Sequence, residues 1–449
     1  MDAYDLDRME RMRTGCIPPS LVTHLLERGH AREVERQAGR GEWFCAREWA
    51  RLLDQRGQRD EALKVLAPYV ATGWWPAAQV QAELLESGEL AAEAITLVRP
   101  YAAKGGQPLE FLARLLARNG HADEAVTRLS AGIDDPVLAR ALVDLSGEAG
   151  RDDEVAALLA ARIPAEQQCA DPWCCRGLGP EDAIGLLATI HERQGRVDKA
   201  IALLRTRQIT SVNNRDQLAD LLARHDRIDE LRTYARTDGL GHGRRRLAEL
   251  LEEREDVEGA IAVYQDTAGS FEQAHGDIEL AQLLARHGRF DEAIDVMRAL
   301  VDSSGAEDWT VGTLCTLYAD RGHAQEGLAY LDSLDVRHDG TEPWEFFQSR
   351  LGLLAACGRF DEAIEQARAH PESDGLHAVW TISHLLAEHG RVEDAVAVLE
   401  PRADTYRHQL ASHLIELGRI QEAVPLLQQP AVGPEPPQWN GALFQDPPF

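Results

Sequence analysis

The chain has 449 residues, more than the roughly 250–300 residues that usually share one hydrophobic core, so we expect several domains or an elongated repeat array. Its 47 basic and 75 acidic side chains give a formal net charge of −28, which opposes binding to phosphate backbones and anionic lipids and disfavours nucleic acid and membrane partners. There is no signal-like apolar segment at the start and no apolar run of membrane-spanning length, and the seven cysteines are scattered. We therefore expect a cytoplasmic protein with reduced thiols.

Turn residues recur along the chain after a lead-in over residues 1–14. Each one separates two apolar patterns of helical period, and most are glycine, which adopts positive φ angles without steric cost and so can end a helix. Their mean spacing of about 32 residues lies in the range of helical repeats. The thirteen predicted turn residues are Gly29, Gly57, Gly88, Gly120, Gly150, Gly195, Asp226, Glu255, Gly288, Gly322, Gly358, Gly390 and Gly418.

The predicted repeat unit is clearest in the stretch LAQLLARHGRFDEAIDVMRALV, residues 280–301. Apolar residues on both sides of Gly288 fall at spacings of three and four, which places each set on one face of a helix. Asp291 and Glu292 follow the turn, where carboxylates favour the start of a helix by roughly 0.3–1 kcal/mol each. The unit is therefore predicted to be a helical hairpin, with a helix A before the turn and a helix B after it.

Small residues recur at fixed distances from these turns. A Leu-Ala dipeptide stands eight residues before six of the turns, and an alanine stands five residues after eight of them. This pattern resembles the tetratricopeptide repeat family, in which small residues on both helices let the backbones approach closely. The chain departs from that family because most of its helix B prolines and helix A tryptophans and tyrosines are missing. The resemblance implies a degenerate tetratricopeptide-like array over about residues 15 to 430, and HEAT-type or other αα-hairpin repeats are the alternative. The alanines are Ala62, Ala125, Ala200, Ala260, Ala293, Ala363, Ala395 and Ala423.

The predicted fold is all-α, a right-handed αα-superhelix of about thirteen helical hairpins. We expect a lead-in over residues 1–14, N-terminal repeats over 15–162, an inserted loop over 163–180, C-terminal repeats over 181–429 and a proline-rich, disordered tail over 430–449. The loop is predicted because the step from Gly150 to Gly195 is longer than the others and the added residues contain prolines and glycines. The tail has six prolines and no helical period.

Sequence motifs that carry enzyme chemistry are missing: there is no phosphate-binding loop GxxxxGK[ST], no GxGxxG, no GxSxG and no HExxH. The best metal candidates are Cys169, Cys174 and Cys175, but two adjacent cysteines rarely converge on one tetrahedral zinc ion. We predict no catalytic residue, no cofactor and no metal site, and the sequence leaves open whether this cysteine loop is redox active.

The resemblance also implies a binding surface. In tetratricopeptide proteins the inner groove is lined by helix A, at positions ten and six residues before the turns. Carried over to this chain, these positions imply a groove that is basic at one end, acidic around Asp216, Asp220 and Glu249, and polar with aromatic side chains at the other end. The predicted binding residues are Arg47, Arg51, Arg114, Arg140, Arg245, Gln282, Trp309, Trp380, His384 and His408.

The expected function is that of a non-catalytic scaffold or adaptor that binds a protein or peptide in the groove. The arginines suggest a partner with an acidic segment, since arginine binds carboxylates through two parallel hydrogen bonds; the chain's own Glu48 and Glu110 are the simpler alternative partners. A regulator that senses a peptide or small molecule in the groove is the second hypothesis, and an enzyme built on a helical array is the third. The oligomeric state cannot be derived from the sequence.

Overall fold

The computed structural model describes residues 2–13, 15–163, 177–207, 216–265, 270–304, 307–334 and 342–429. Residues 164–176 of the predicted loop, with Cys169, Cys174 and Cys175, and the predicted tail over 430–449 lie outside these residues. The described part of the chain contains 27 α-helices and no β-strand, which confirms the all-α fold class. No helix in this part is long and apolar enough to cross a bilayer.

A first helix, α1 (Ala3–Met12), precedes thirteen consecutive helical hairpins, which we number 1 to 13 in chain order; the predicted number of hairpins is confirmed. Hairpins 1 to 4 are α2 (Pro19–Glu27) and α3 (Ala31–Gly39), α4 (Trp43–Gln55) and α5 (Arg59–Val70), α6 (Trp75–Ser87) and α7 (Ala91–Ala102), α8 (Gly106–Arg118) and α9 (Ala122–Ser130). Hairpins 5 to 8 are α10 (Pro136–Ser146) and α11 (Asp152–Ala160), α12 (Pro180–Arg193) and α13 (Val197–Leu204), α14 (Gln217–Arg224) and α15 (Ile228–Thr237), α16 (His242–Glu253) and α17 (Val257–Gln265). Hairpins 9 to 13 are α18 (Ser270–Arg286) and α19 (Phe290–Ser304), α20 (Asp308–Asp320) and α21 (Ala324–Ser333), α22 (Trp344–Ala356) and α23 (Phe360–Ala369), α24 (Leu376–Glu388) and α25 (Val392–Leu399), α26 (Arg407–Glu416) and α27 (Ile420–Gln428).

Every hairpin turns at a residue with positive φ. Asp226 (φ 58°) and Glu255 (φ 64°) take this conformation although they are not glycine, as predicted from the spacing. The prediction was wrong at Gly88, because the left-handed residue there is Glu89 (φ 63°). This shift moves the inner positions of α6 one residue along the helix, to Gln79 and Glu83.

The predicted small residues are buried where the two helices of a hairpin meet. All eight alanines placed five residues after a turn are completely buried, and so are the Leu-Ala dipeptides. A small residue is nevertheless not required in every hairpin, because Val34, Val155 and Leu231 occupy the same position in hairpins 1, 5 and 7 and are also fully buried. In hairpin 10 this position is Gly327, where an added Cβ atom would lie 2.9 Å from a Leu353 methyl carbon.

The chain divides into two compact units. Unit 1 comprises residues 1–84 and 372–449, and unit 2 comprises residues 85–371. Within unit 2, each hairpin packs on the next in chain order. Within unit 1, hairpin 13 packs on hairpin 1: α26 contacts α2, and the Gln428 side-chain amide donates a 2.9 Å hydrogen bond to the buried Gln37. Hairpins 12, 13, 1 and 2 therefore form one stack, followed by the start of hairpin 3.

Candidate functional site

The candidate site is the A-helix face, which we define as the side chains at the two inner positions of each helix A together with the polar residues that contact them. In unit 1, Arg47 and Arg51 of α4 both bind Glu48, at 2.8 and 3.2 Å. Arg51 also reaches Glu83 on α6, at 3.4 Å. Carboxylates of the chain itself therefore balance these two positive charges, as the simpler alternative expected for Glu48.

The predicted arginines of unit 2 differ from one another. Arg114 on α8 donates hydrogen bonds of 2.9 Å both to Glu110 on its own helix and to Asp144 on α10. Arg245 on α16 binds Glu279 on α18 at 2.6 Å. Arg140 on α10 is exposed and has no ion-pair partner among the described residues. Of these three arginines, therefore, only Arg140 forms no ion pair with a carboxylate in the described part of the chain.

A repeated polar cluster, which the sequence analysis missed, joins neighbouring A helices. In each copy, two adjacent side chains of one helix A bind a glutamate of the preceding helix A, and we call this cluster the clamp. Near the end of α18, Arg286 binds Glu252 of α16 through two hydrogen bonds of 3.2 and 2.9 Å, and His287 binds the same carboxylate at 2.8 Å. The hydrogen bonds from Arg286 lower the pKa of Glu252. The same arrangement recurs between α14 and α12 and between α8 and α6. Its members there are Arg224, His225 and Glu192, then Arg118, Asn119 and Glu86.

A second recurring pair follows the turns. Arg289 binds Glu292 at 2.6 and 2.7 Å, three residues further on, and also reaches Glu258 of the preceding helix B at 2.6 Å. Arg359 with Glu362 and Arg419 with Glu422 repeat the first of these contacts. The acidic residues at the start of helix B, predicted to complement the helix dipole, therefore also hold the arginine that follows the turn.

Helix α24 exposes two large apolar side chains at and beside the A-helix face. Leu376 and Trp380, one turn apart, are 59 % and 45 % exposed. The Trp380 indole stacks on the His384 ring, with centroids 5.1 Å apart and planes inclined by 16°. His384 in turn lies 3.2 Å from Glu388. We call Leu376, Trp380 and His384 the aromatic stripe.

The neighbouring helices of unit 1 continue this face. His408 on α26 is exposed, and two residue pairs join α26 to α2: the Ser412 hydroxyl lies 3.2 Å from a ring nitrogen of His24, and Arg28 binds Glu416 at 3.1 Å. Arg47, Arg51 and the aromatic stripe belong to one unit, on the successive helices α24, α26, α2 and α4, because hairpin 13 packs on hairpin 1.

The two remaining predicted residues lie in unit 2. Gln282 on α18 is exposed. Trp309, near the start of α20, is 47 % exposed, and its indole N–H donates a 2.5 Å hydrogen bond to Glu307. Trp309 and Trp380 are thus exposed aromatic residues of separate units.

Metal-binding side chains do not converge in the described part of the chain. No cluster of three or more His, Cys, Asp or Glu side chains there could hold a metal ion. Burial raises the pKa of the Cys16 and Cys315 thiols to about 12, so both are protonated at neutral pH and poor nucleophiles. The arrangement on the A-helix face is suited to holding a polypeptide through aromatic and polar contacts.

Comparison with known proteins agrees with the hairpin geometry. Residues 245–308 and residues 183–216 each match a tetratricopeptide repeat profile. No curated protein sequence matches the chain.

Among solved structures, the chain is similar to a Naa15/Naa10 complex bound to HypK-THB (13 % identity, TM-score 0.39, 91 % of this chain and 74 % of that one). It is also similar to the APC/C hetero-tetramer Cut9–Hcn1 (12 %, TM-score 0.28, 82 % and 74 %) and to the pentatricopeptide repeat protein PPR10 from maize (15 %, TM-score 0.32, 85 % and 62 %). These structural similarities are too distant to assign a function. With its thirteen hairpins, buried small residues and two profile matches, the chain is a tetratricopeptide-like repeat protein.

Proposed function

We propose that this protein is a non-catalytic scaffold that binds a polypeptide segment on the A-helix face of unit 1, with the aromatic stripe as the anchor. Repeats of the tetratricopeptide type are protein-interaction scaffolds in general. We place the binding site on α24 because Leu376 and Trp380 are both exposed on one side of this helix. Tryptophan is enriched among the few residues that dominate binding energy in protein interfaces. An apolar side chain of the partner would cover this stripe.

The charge pattern supports an apolar rather than an acidic anchor in unit 1. Arg47 and Arg51 already bind Glu48 and Glu83, so an acidic partner segment would have to displace internal carboxylates. Its carboxylates would gain little from such an exchange, because exposed ion pairs contribute only about 0–1 kcal/mol. The polar groups of α26, including His408 and Ser412, would instead form the rim of the interface. The cytoplasmic location that we expect from the scattered cysteines remains part of the proposal.

The test is affinity capture from native cytosol with the full chain as bait, quantified by mass spectrometry. Leu376→Glu and Trp380→Glu are compared with the unmodified chain and with Val137→Glu, which adds the same charge at an exposed apolar residue of unit 2. A partner of the stripe should be depleted at least tenfold by the first two changes, because loss of a tryptophan anchor costs about 2 kcal/mol or more. The Val137→Glu bait should retain it.

Two outcomes would contradict the proposal. If every captured protein is retained by both stripe variants, the stripe is not the anchor. If the stripe variants lose only a small molecule that stabilises the chain against heat, the regulatory alternative expected from the sequence replaces the scaffold. Circular dichroism of each bait establishes that it is folded.

A further inference from the structure

Unit 1 has a second concave surface, an open cavity of about 1030 Å³. Its walls are the last turn of α3, the outer side of α4, one face of α5 and Leu6 of α1. Trp49 and Leu53 line it from α4, two residues after the inner positions Arg47 and Arg51. Two residues advance roughly 200° around a helix, so the cavity and the A-helix face use opposite sides of α4.

Aromatic and apolar side chains form the floor of this cavity. Trp49 and Tyr69 are 9 % and 8 % exposed, and Val65 and Pro68 of α5 lie beside them. This floor is suited to aromatic and proline side chains of a ligand.

The rim of the cavity carries Arg40, Arg56 and Lys64 as well as Glu35 and Glu61, which leaves a small excess of positive charge. The Arg56 guanidinium lies over the Trp49 ring, 5.6 Å from its centroid, and Arg40 is exposed at the end of α3. Neither arginine has an ion-pair partner among the described residues, whereas Lys64 at the same rim is bound to Glu61 at 2.7 Å. The rim can therefore take an acidic residue without displacing a carboxylate from either arginine.

Residues 430–449, PAVGPEPPQWNGALFQDPPF, have the complementary chemistry. They contain six prolines, three aromatic residues, Glu435 and Asp446, and no lysine or arginine. Proline-rich segments favour the polyproline II conformation, whose carbonyls are free to accept hydrogen bonds, and such segments dock in grooves lined by aromatic side chains. Trp439, Phe444 and the prolines are suited to the floor, and the two carboxylates to the rim.

The described part of the chain ends at Gln429, beside this cavity. Gln428 binds Gln37 of α3, which directly precedes the cavity-lining residues 38–41, and the Arg407 guanidinium holds the Gln429 carbonyl at 3.0 Å. Twenty residues can span about 60 Å when extended, so reach does not limit docking. A tether of this length gives an effective concentration of about a millimolar, which compensates for modest intrinsic affinity.

We propose that residues 430–449 of the same chain occupy this cavity as an internal proline-rich ligand of α3, α4 and α5. The acidic residues of the segment lie against Arg40 and Arg56, and its aromatic and proline side chains pack on Trp49, Val65 and Pro68. The contact is independent of the aromatic stripe, so this proposal and the proposed scaffold function can fail separately.

The test is photo-cross-linking in the full chain, with p-benzoylphenylalanine incorporated at position 444. A mixture of equal parts isotope-labelled and unlabelled protein separates cross-links within one molecule from those between molecules. We expect cross-links within one molecule, mapped by mass spectrometry to residues 35–72. Their yield should fall at least fivefold in Arg56→Glu and in Val65→Asp. Arg32→Glu, the same charge reversal at an exposed residue of α3 outside the cavity lining, should leave the yield unchanged.

Free peptide of sequence 430–449, added at about 10 mM to the chain with unaltered cavity residues, exceeds the effective concentration of the tethered segment and should lower the yield at least fivefold by competition. This measurement holds even if a cavity variant fails to fold. The proposal is overturned if cross-links map to other surfaces, if they form only between molecules, or if free peptide does not compete.

Discussion

The Arg28 guanidinium donates a 3.1 Å hydrogen bond to Glu416, although the two residues are 388 positions apart in the chain. The pair corresponds to the clamps in unit 2, in which an arginine near the end of one helix A binds a glutamate near the end of the preceding helix A. Arg28 and Glu416 each lie one residue closer to the turn of their own hairpin than the corresponding arginine and glutamate of the clamps do. Hairpin 1 thus follows hairpin 13 in space in the way that consecutive hairpins follow one another.

Charge reversal should expose this relationship. We expect Arg28→Glu and Glu416→Arg to lower the free energy of unfolding singly and to recover part of the loss together. Because both side chains are partly exposed, the coupling energy should not exceed about 1 kcal/mol. Urea unfolding of the four proteins gives this coupling. Strictly additive effects would show that this ion pair does not stabilise the contact between hairpins 13 and 1.

Ala293→Leu should destabilise the array by roughly 1–3 kcal/mol, because Ala293 is completely buried and a larger side chain would overpack the hairpin. The matched control is Asp295→Leu, an exposed position of the same helix. Glu279 is unsuitable as a control because it binds Arg245. Thermal unfolding compares the variants, and equal melting temperatures would refute the packing assignment.

Two glycine-to-alanine changes should have opposite effects. In Gly327→Ala the new Cβ would lie 2.9–3.0 Å from Leu353 and 3.0 Å from the Tyr318 Cβ, so the cost of overpacking should exceed the gain in helix propensity of about 1 kcal/mol. Gly352 lies within α22, and a Cβ atom added there would have no neighbour within 4 Å. Gly352→Ala should therefore raise the free energy of unfolding by up to about 1 kcal/mol. Chemical unfolding measures both. Destabilisation of similar size in the two variants would contradict this explanation.

Glu42 should make unit 1 less stable as the pH rises. Burial raises the pKa of this carboxyl to about 7, although the Ile17 amide donates a 3.3 Å hydrogen bond to it, which lowers the pKa. The folded state therefore binds the proton more tightly than the unfolded state, in which the ordinary pKa is about 4.5. The stabilising contribution of the protonated carboxyl is complete below about pH 4.5 and is lost between there and about pH 7. The total loss is roughly 3 kcal/mol.

Glu42→Gln should remove this dependence and unfold at a higher urea concentration than the parent at pH 8. Glu35→Gln, at an exposed residue of α3, is the control and should follow the parent protein. If the parent protein is as stable at pH 8 as at pH 5 and Glu42→Gln changes neither value, the buried carboxyl does not titrate in this range.

The repeat architecture was predictable because it depends on local patterns. Apolar spacing identified both helices of each hairpin, and a residue at the expected distance identified turns even at Asp226 and Glu255, which lack glycine. Glu89 was missed because a glycine stands beside it, and glycine is the stronger signal for positive φ. The alanine signal does not extend to every hairpin, because the larger Val34 and Leu231 are fully buried at the same position in hairpins 1 and 7.

The side-chain partners of the candidate site could not be predicted in the same way. The clamp of Glu252, Arg286 and His287 joins residues 34 and 35 positions apart, and their distance depends on how one hairpin stacks on the next. A recurring signal was present, since arginine followed by asparagine or histidine precedes three of the turns. Arg28 and Glu416 are 388 positions apart, and no local sequence pattern is diagnostic of such a contact.

The packing of hairpin 13 on hairpin 1 also bears on how the array opens. In a linear repeat protein, an end hairpin has one neighbour, so it frays at low free-energy cost and its amide protons exchange early. Here hairpin 13 lies between hairpins 12 and 1, and hairpin 1 lies between hairpins 13 and 2. Opening either of them breaks two interfaces, so amide exchange in α2 and α26 should be as slow as in hairpins from the middle of the chain.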